Sequence, residues 1–233
     1  MISDGDPDFE ARRETAKERI NRLDRDQLSE NPKRSDFFEA VYEQANGDAA
    51  MVPWADLKAK EQLASWLENY SGSNAKAIDI GCGLGDNAEL IAKYGYETIA
   101  FDFSPNAIDW AKQRFPGSVV NYHVADLFDL PKEWFGAFDL VHECYTLQSI
   151  PPETLEKSIP AIANLVKSSG RLLVYSRYRQ DGVLVDGPPW PLEKSRLMDF
   201  ERLGFKLIGC EEFILEKLDR KIPHVFCEWR KHA

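Results

Sequence analysis

The stretch Asp79-Ile80-Gly81-Cys82-Gly83-Leu84-Gly85-Asp86-Asn87 has the composition of a ligand-binding turn. Three glycines at alternate positions let the backbone turn tightly and approach a bound molecule, and a helix opening there would offer its unpaired amides to that molecule. The spacing is GxGxG, which departs from the GxGxxG of a dinucleotide pyrophosphate loop, and Asp79 just ahead of it would repel a phosphate. A cationic ligand suits that carboxylate better. Seventeen residues after Gly85 comes Asp102, in Ala100-Phe101-Asp102-Phe103-Ser104-Pro105. An acid at a strand end can accept hydrogen bonds from both hydroxyls of a ribose. Asp126, in Val124-Ala125-Asp126-Leu127, could accept from the exocyclic amine of an adenine or serve as a turn or cap residue. His142, Glu143 and Tyr145, in Phe138-Asp139-Leu140-Val141-His142-Glu143-Cys144-Tyr145, are candidates for proton transfer at the reacting end. Strand alternation lets only one of His142 and Glu143 face the ligand, and backbone amides could instead satisfy both.

Bringing these side chains to one edge requires parallel strands. Short apolar runs at 76–80, 97–102, 118–123, 138–143 and 171–176 alternate with helical stretches at about 86–94, 105–114 and 153–167. That alternation predicts a doubly wound α/β architecture, with right-handed crossovers, helices on both faces and ligands at the carboxyl ends of the strands. After the fifth strand come a Pro-rich loop at 186–192, a helix at about 193–202 and two β-rich runs at 205–214 and 223–230. The last two predict an edge hairpin, giving a mostly parallel seven-stranded sheet with a C-terminal β-hairpin. Upstream, Phe37, Phe38, Val41 and Tyr42, then Leu57, Leu63, Trp66 and Leu67, predict two amphipathic helices ahead of the first strand.

The chain has 233 residues, 43% apolar and 12% aromatic, which is enough to bury a core and excludes a disordered chain. Its 29 Lys+Arg against 39 Asp+Glu leave a net charge of −10, which disfavours a nucleic-acid partner. No apolar run is long enough to cross a bilayer, and the amino terminus is acidic and polar, so a cytoplasmic protein with no membrane association is expected. Cys82, Cys144, Cys210 and Cys227 are scattered, with no CxxC pair and no His/Cys cluster at metal-ligand spacing. Four free thiols and no metal are expected. Residues 1–36 read as a charged arm or solvated helix, and 37–233 as a single domain.

From about Lys76 to Tyr178 the chain resembles a class I S-adenosylmethionine-dependent methyltransferase. The resemblance rests on DIGCGLGDN, AFDFSP, ADLFDLP, FDLVHECYTLQSIPPE and GRLLVYSR, in the family's order and spacing. It implies the Rossmann-like methyltransferase fold, S-adenosyl-L-methionine as cofactor and S-adenosyl-L-homocysteine as product. It also implies that Asp79, Gly81, Cys82, Gly83, Gly85 and Asn87 form the loop around the amino acid end, that Asp102 holds the ribose, and that Asp126 and Leu127 hold the adenine with Phe103 packed on its ring. Glu143 would lie between cofactor and acceptor. Phe37-Phe38-Glu39-Ala40-Val41-Tyr42 followed by Val52-Pro53-Trp54-Ala55-Asp56 is similar to the thiol, thiopurine and thiocyanate branch, although an alanine separates Trp54 from Asp56 here and Phe38 and Tyr42 replace paired tryptophans.

Direct displacement of a methyl group needs no metal and no covalent enzyme intermediate. Alignment of nucleophile and leaving group supplies about 7–11 kcal/mol of the barrier. An aromatic face such as Trp54 would favour a sulfonium by roughly 0.5–2 kcal/mol, although the same residue could be an ordinary core aromatic. Glu143, His142 and Tyr145 are the candidate proton acceptors. Arg177 and Arg179, after the fifth strand, could hold an anionic substrate group or be surface charges. The expected substrate is a small-molecule methyl acceptor reacting through sulfur, nitrogen or oxygen, with sulfur slightly ahead, and the expected assembly is a monomer or homodimer. The rival readings are an NAD-dependent oxidoreductase on the same sheet and a noncatalytic cofactor-binding regulatory module.

Overall fold

In the computed structural model, residues 7–28, 34–217 and 220–233 are described. The alternating apolar runs form strands β1 (Lys76–Ile80), β2 (Glu97–Asp102), β3 (Asn121–Val124), β4 (Phe138–Cys144) and β5 (Val166–Arg179). They pair in parallel in the order β3-β2-β1-β4-β5. A two-residue strand β6 (Leu192–Glu193) runs beside the end of β5. Strands β7 (Phe205–Lys217) and β8 (Arg220–Lys231) form the expected antiparallel hairpin, with β8 against β5 and β7 at the edge. The Rossmann-like methyltransferase sheet is therefore present, with β6 as an addition to its seven main strands.

Helix α3 (Glu61–Leu67) and helix α4 (Asp86–Lys93) cover one sheet face. Leu63, Trp66, Leu67 and Ile91 pack there on Ala77, Leu140, Leu173, Tyr175 and Phe226. Helix α6 (Leu155–Leu165) and the short helices α7 (Lys194–Leu197) and α8 (Asp199–Arg202) cover the other. Ile159, Ile162, Leu197 and Phe200 pack there on Val141, Leu172, Val174 and the fully buried Trp229. Helix α5 (Pro105–Arg114) starts at a Ser104 cap, whose hydroxyl accepts from the Ala107 amide at 3.1 Å, with Pro105 in the first turn.

Four details differ from the sequence reading. Strand β3 starts at Asn121 and not at 118, because the Ser118 hydroxyl accepts from the Val120 amide and forms a turn there. Strand β5 starts at Val166 and reaches β4 through a register shift between Phe138 and Leu140. The helix expected over 193–202 is two single turns. The free-thiol expectation fails for one pair: Cys210 and Cys227 are register partners across β7 and β8 and form a disulfide, while Cys82 and Cys144 are free.

Ahead of the sheet lie helix α1 (Pro7–Leu28) and helix α2 (Arg34–Ala45). The arm expected over 1–36 falls partly outside the described residues, at 1–6 and 29–33. Within α1, Phe9, Ala16 and Ile20 are buried, and the Arg13 guanidinium donates to the Pro53 carbonyl at 2.8 Å and to Asp56 at 2.5 Å. This helix is therefore fastened to the segment that precedes the first strand. Among the described residues, no helix is long and apolar enough to cross a membrane.

Thiol titration of the unreduced protein in denaturant should count two reactive cysteines, rising to four after reduction. Four thiols without reductant would contradict the β7–β8 pairing of Cys210 and Cys227. Replacing Trp229 by alanine should cost about 3–5 kcal/mol in chemical denaturation, because the indole fills the junction of β8 with α8.

Candidate active site

The chain order reverses direction across the sheet between β1 and β4, and ligands of open α/β sheets bind beyond the carboxyl ends of the strands at such a switch point. The turn after β1 is held open there by three residues in the left-handed region, Gly81, Gly83 and Gly85, with φ of 60°, 52° and 89°. At Gly85 a β-carbon would lie 2.4 Å from the Tyr122 hydroxyl, and at Gly81 2.6 Å from the Thr146 hydroxyl. The side chains of Tyr122 and Thr146 thus approach this turn more closely than a β-carbon would allow without their shifting, and the positive φ values favour glycine there. Gly83 faces the Tyr42 hydroxyl of α2, which a β-carbon would approach to 3.1 Å.

Asp102 ties the first two loops together. One of its carboxylate oxygens accepts from the Gly83 amide at 3.0 Å and the other from the Ser104 amide at 3.0 Å. Burial pushes its carboxyl up to about 6, against the opposing effect of those two amides. A carboxylate has roughly four acceptor positions, so two remain for a pair of hydroxyl donors. Glu39 of α2 reaches across to the Ser104 hydroxyl and the Asn106 amide, closing the helix over the same loop.

Asp79 and His142 are register partners across β1 and β4, and both are fully buried. Asp79 Oδ1 and His142 Nδ1 are 2.6 Å apart. Asp79 Oδ2 and His142 Nε2 are buried with no partner in the protein. In a neutral imidazole, a carboxylate oxygen on Nδ1 selects the tautomer with its proton on that nitrogen and a lone pair on Nε2. Two unmet buried polar atoms at the switch point call for partners from a ligand, since an unsatisfied buried polar atom costs about 1–3 kcal/mol.

Glu143 points to the opposite face from His142, as alternation requires. Its Oε2 accepts from the amides of Thr146 at 2.9 Å and Leu147 at 3.2 Å, while Oε1 is buried without a partner. Burial raises its carboxyl to about 8, so it carries a proton at neutral pH. Tyr145 sits in the left-handed region at φ 66°, with its hydroxyl 2.9 Å from His224 Nε2.

The other sequence candidates fall in several places. Trp54 donates its indole N–H to the Tyr42 hydroxyl at 2.8 Å and packs edge-on against Phe38, which in turn packs against Phe103. An aromatic wall from α2 and the 52–56 segment therefore stands beside the glycine turn. Cys82 packs with Ala88, Ala100 and Tyr122, and burial keeps it a thiol by raising its pKa. The Asn87 side-chain oxygen accepts from the Lys60 amide at 3.0 Å, so it fastens the start of α3. Asp126 is exposed and its carboxylate accepts from the Phe128 amide at 2.9 Å, while Leu127 is buried beside it. Asp139, read as structural, accepts from the Lys76 amide at 2.9 Å.

Sequence reasoning missed Lys60, Tyr175 and His224, which gather with Asp56 around Tyr145. The Lys60 ammonium lies 4.5 Å from the Tyr145 ring centre and 5.2 Å from that of Tyr175, and pairs with Asp56. No motif joins these residues, because Asp56 and Lys60 precede α3 while Tyr175 lies in β5 and His224 in β8. Only the β5–β8 register brings the last two together.

Residues 78–174 match the family model described as a methyltransferase domain. The ubiquinone biosynthesis O-methyltransferase of Xanthomonas axonopodis pv. citri is 33% identical over 104 residues, covering 44% of this chain and 43% of that protein, so the chain matches less than half the length of this relative. A structure described under conversion of a disulfide bond into a thioacetal group during echinomycin biosynthesis superposes with a TM-score of 0.69 at 19% identity, over 85% of this chain and 93% of the other. Magnesium protoporphyrin IX methyltransferase of Synechocystis PCC 6803, solved with bound S-adenosylmethionine, gives 0.57 at 18% identity, over 73% and 77%. These likenesses establish a Rossmann-like methyltransferase fold.

Glu143→Gln mimics the protonated carboxyl. A carboxyl raised in the folded state contributes stability below its unfolded pKa and loses it as pH rises through the folded value. The stability of the variant relative to the parent should therefore grow as pH rises from about 4.5, the ordinary carboxylate value, to about 8 and level off above it, read by denaturation at a series of pH values. Parallel curves would place Glu143 in water.

Proposed function

We propose that the chain is an S-adenosylmethionine-dependent methyltransferase acting on a small-molecule nucleophile. The observation that carries this reading is the acidic surround of the glycine turn. Asp79 presents an unmet oxygen, and Asp102 keeps acceptor capacity after serving two amides. The first turn of α4 holds two further acids, with Asp86 forked by Arg114 at 2.7 and 2.8 Å and Glu89 accepting from the Tyr122 hydroxyl at 2.8 Å. A pyrophosphate would meet carboxylates where it needs bare amides, whereas an ammonium group and a ribose meet acceptors. An NAD-type dinucleotide is disfavoured on the same ground.

The residues present fit the cofactor. Asp79 Oδ2 would accept from its amino group, the turn at Gly81, Gly83 and Gly85 would close around its amino acid end, Asp102 would hold its ribose, and Leu127 with Phe103 its base. Bound there, it supplies an electrophilic methyl group whose direct displacement returns the sulfur–carbon electron pair to sulfur and leaves S-adenosylhomocysteine. The aromatic wall of Phe38, Tyr42 and Trp54 shields that region from water and offers ring faces to positive charge. His142 Nε2, oriented by Asp79, takes the proton that the acceptor loses, and Tyr145 lines the approach.

Sulfur, nitrogen and oxygen acceptors share this displacement. The Val-Pro-Trp segment favours sulfur, and the relatives named as O-methyltransferases bring oxygen forward. The experiment is methyl transfer from labelled S-adenosylmethionine to a panel of phenols, thiols and amines, followed by the same assay on variants. His142→Gln should lower kcat by about 10²–10⁴-fold with little change in S-adenosylhomocysteine affinity, the range for a lost general base. Unchanged kcat would remove His142 from proton transfer.

Asp102→Asn should weaken S-adenosylhomocysteine binding by about ten-fold or more, measured by calorimetry. Ionised Asp102 is the better acceptor for ribose hydroxyls. Parent affinity should therefore fall as pH drops through about 6, and the asparagine variant should lose that dependence. A parent affinity flat across this range would contradict the assignment.

A further inference from the structure

Beside the switch point, the same sheet edge carries a second group of rings and charges. The register of the last three strands places Tyr175 opposite Phe226, Arg177 opposite His224, and Phe213 opposite His224, all on one face. His224 stacks on Phe213 with ring centres 5.6 Å apart, and Tyr175 packs 5.6 Å from Phe213 and 5.2 Å from Tyr145. His224 Nδ1 lies 2.8 Å from the Ile222 carbonyl. In the neutral ring that nitrogen donates, so Nε2 accepts and the Tyr145 hydroxyl donates to it at 2.9 Å.

Lys60 lies over these rings, and it and two cations of the adjoining segments, Arg13 and Arg220, have carboxylate partners. Lys60 pairs with Asp56, Arg13 also pairs with Asp56 at 2.5 Å, and Arg220 pairs with Glu14 at 3.0 Å. Arg177 is different. Among the described residues, no carboxylate lies within ion-pair distance of its guanidinium, and its Nε is buried with no partner. Its charge is close enough to be influenced by Tyr145, Tyr175, Asp56 and Arg220, and burial lowers its pKa. The chain has ten more carboxylates than Lys and Arg together, so an unpaired guanidinium here is not for want of acids. A planar fork that keeps its charge and lacks an internal partner is built for a carboxylate brought by something else.

We propose that Arg177 receives the anionic group of the methyl acceptor, and that this acceptor is an aromatic acid whose ring lies among Tyr145, Tyr175, Phe213 and His224. The proposal rests on the methyl-transfer reading, since it places the acceptor next to the residue that follows β4. Rings favour planar apolar bodies, while the guanidinium selects a carboxylate over a neutral group of the same shape.

The test is calorimetric titration of 4-hydroxybenzoate, and separately of 4-hydroxybenzamide, into the full chain after titration with S-adenosylhomocysteine. The acid should bind about ten-fold or more tightly than the amide. Arg177→Gln should bring the acid down to the affinity of the amide, and Arg177→Lys, which keeps charge without the fork, should lose a smaller share. Thermal melts of both variants report that they fold. Equal binding of acid and amide, no binding of the acid, or unchanged acid affinity in Arg177→Gln would overturn the proposal. Failure of the cofactor reading appears separately, as absence of heat in the first titration, and the acid is then titrated into the ligand-free protein and judged by the same outcomes.

Discussion

A buried carboxylate organises the ligand edge of this protein. Asp102 has been taken out of water at the end of β2, which penalises its charge, and it offsets that penalty with the amides of Gly83 and Ser104. Those two bonds fix the glycine turn after β1 relative to the start of α5. Helix α2 then docks on the pair through Glu39, and the Trp54 wall closes beside it. The Arg114 guanidinium of α5 adds a bond to the Leu84 carbonyl at 2.6 Å, so the turn is tied to that helix at both ends.

The second organising pair, Asp79 and His142, lies one strand further along the sheet. Its two bonded atoms satisfy each other, and its two outer atoms are left for a ligand. In the proposed reading, one pair thereby joins cofactor recognition to proton transfer. The fold places them side by side because β1 and β4 are neighbours despite 63 residues of intervening chain. Function here depends on a parallel pairing that only a crossover connection can make.

Much of this was legible in the sequence, for identifiable reasons. Short apolar runs punctuated by Gly, Asp and Pro gave β1, β2 and α5 their bounds, since glycines and the Ser104-Pro105 cap are local signals. The turn residues and Asp102 were readable because one short segment carries each. What escaped depended on distant pairing. The Cys210–Cys227 disulfide follows from the hairpin register, in which Lys217 faces Arg220 and the count then brings the two sulfurs opposite. The Tyr145 cluster needs the β5–β8 alignment as well as Lys60 from the start of α3. Asn87 also holds the Lys60 amide, a role no spacing rule encodes.

The most direct test of the central claim is thermal unfolding of the full chain with S-adenosylhomocysteine and, in parallel, with NAD. A ligand that binds only the folded state must raise its stability, by about 2.7 kcal/mol at a hundred times its dissociation constant. The acidic glycine turn predicts a clear upward shift with S-adenosylhomocysteine and none with NAD. A shift with NAD, or none with S-adenosylhomocysteine at millimolar concentration, would contradict it.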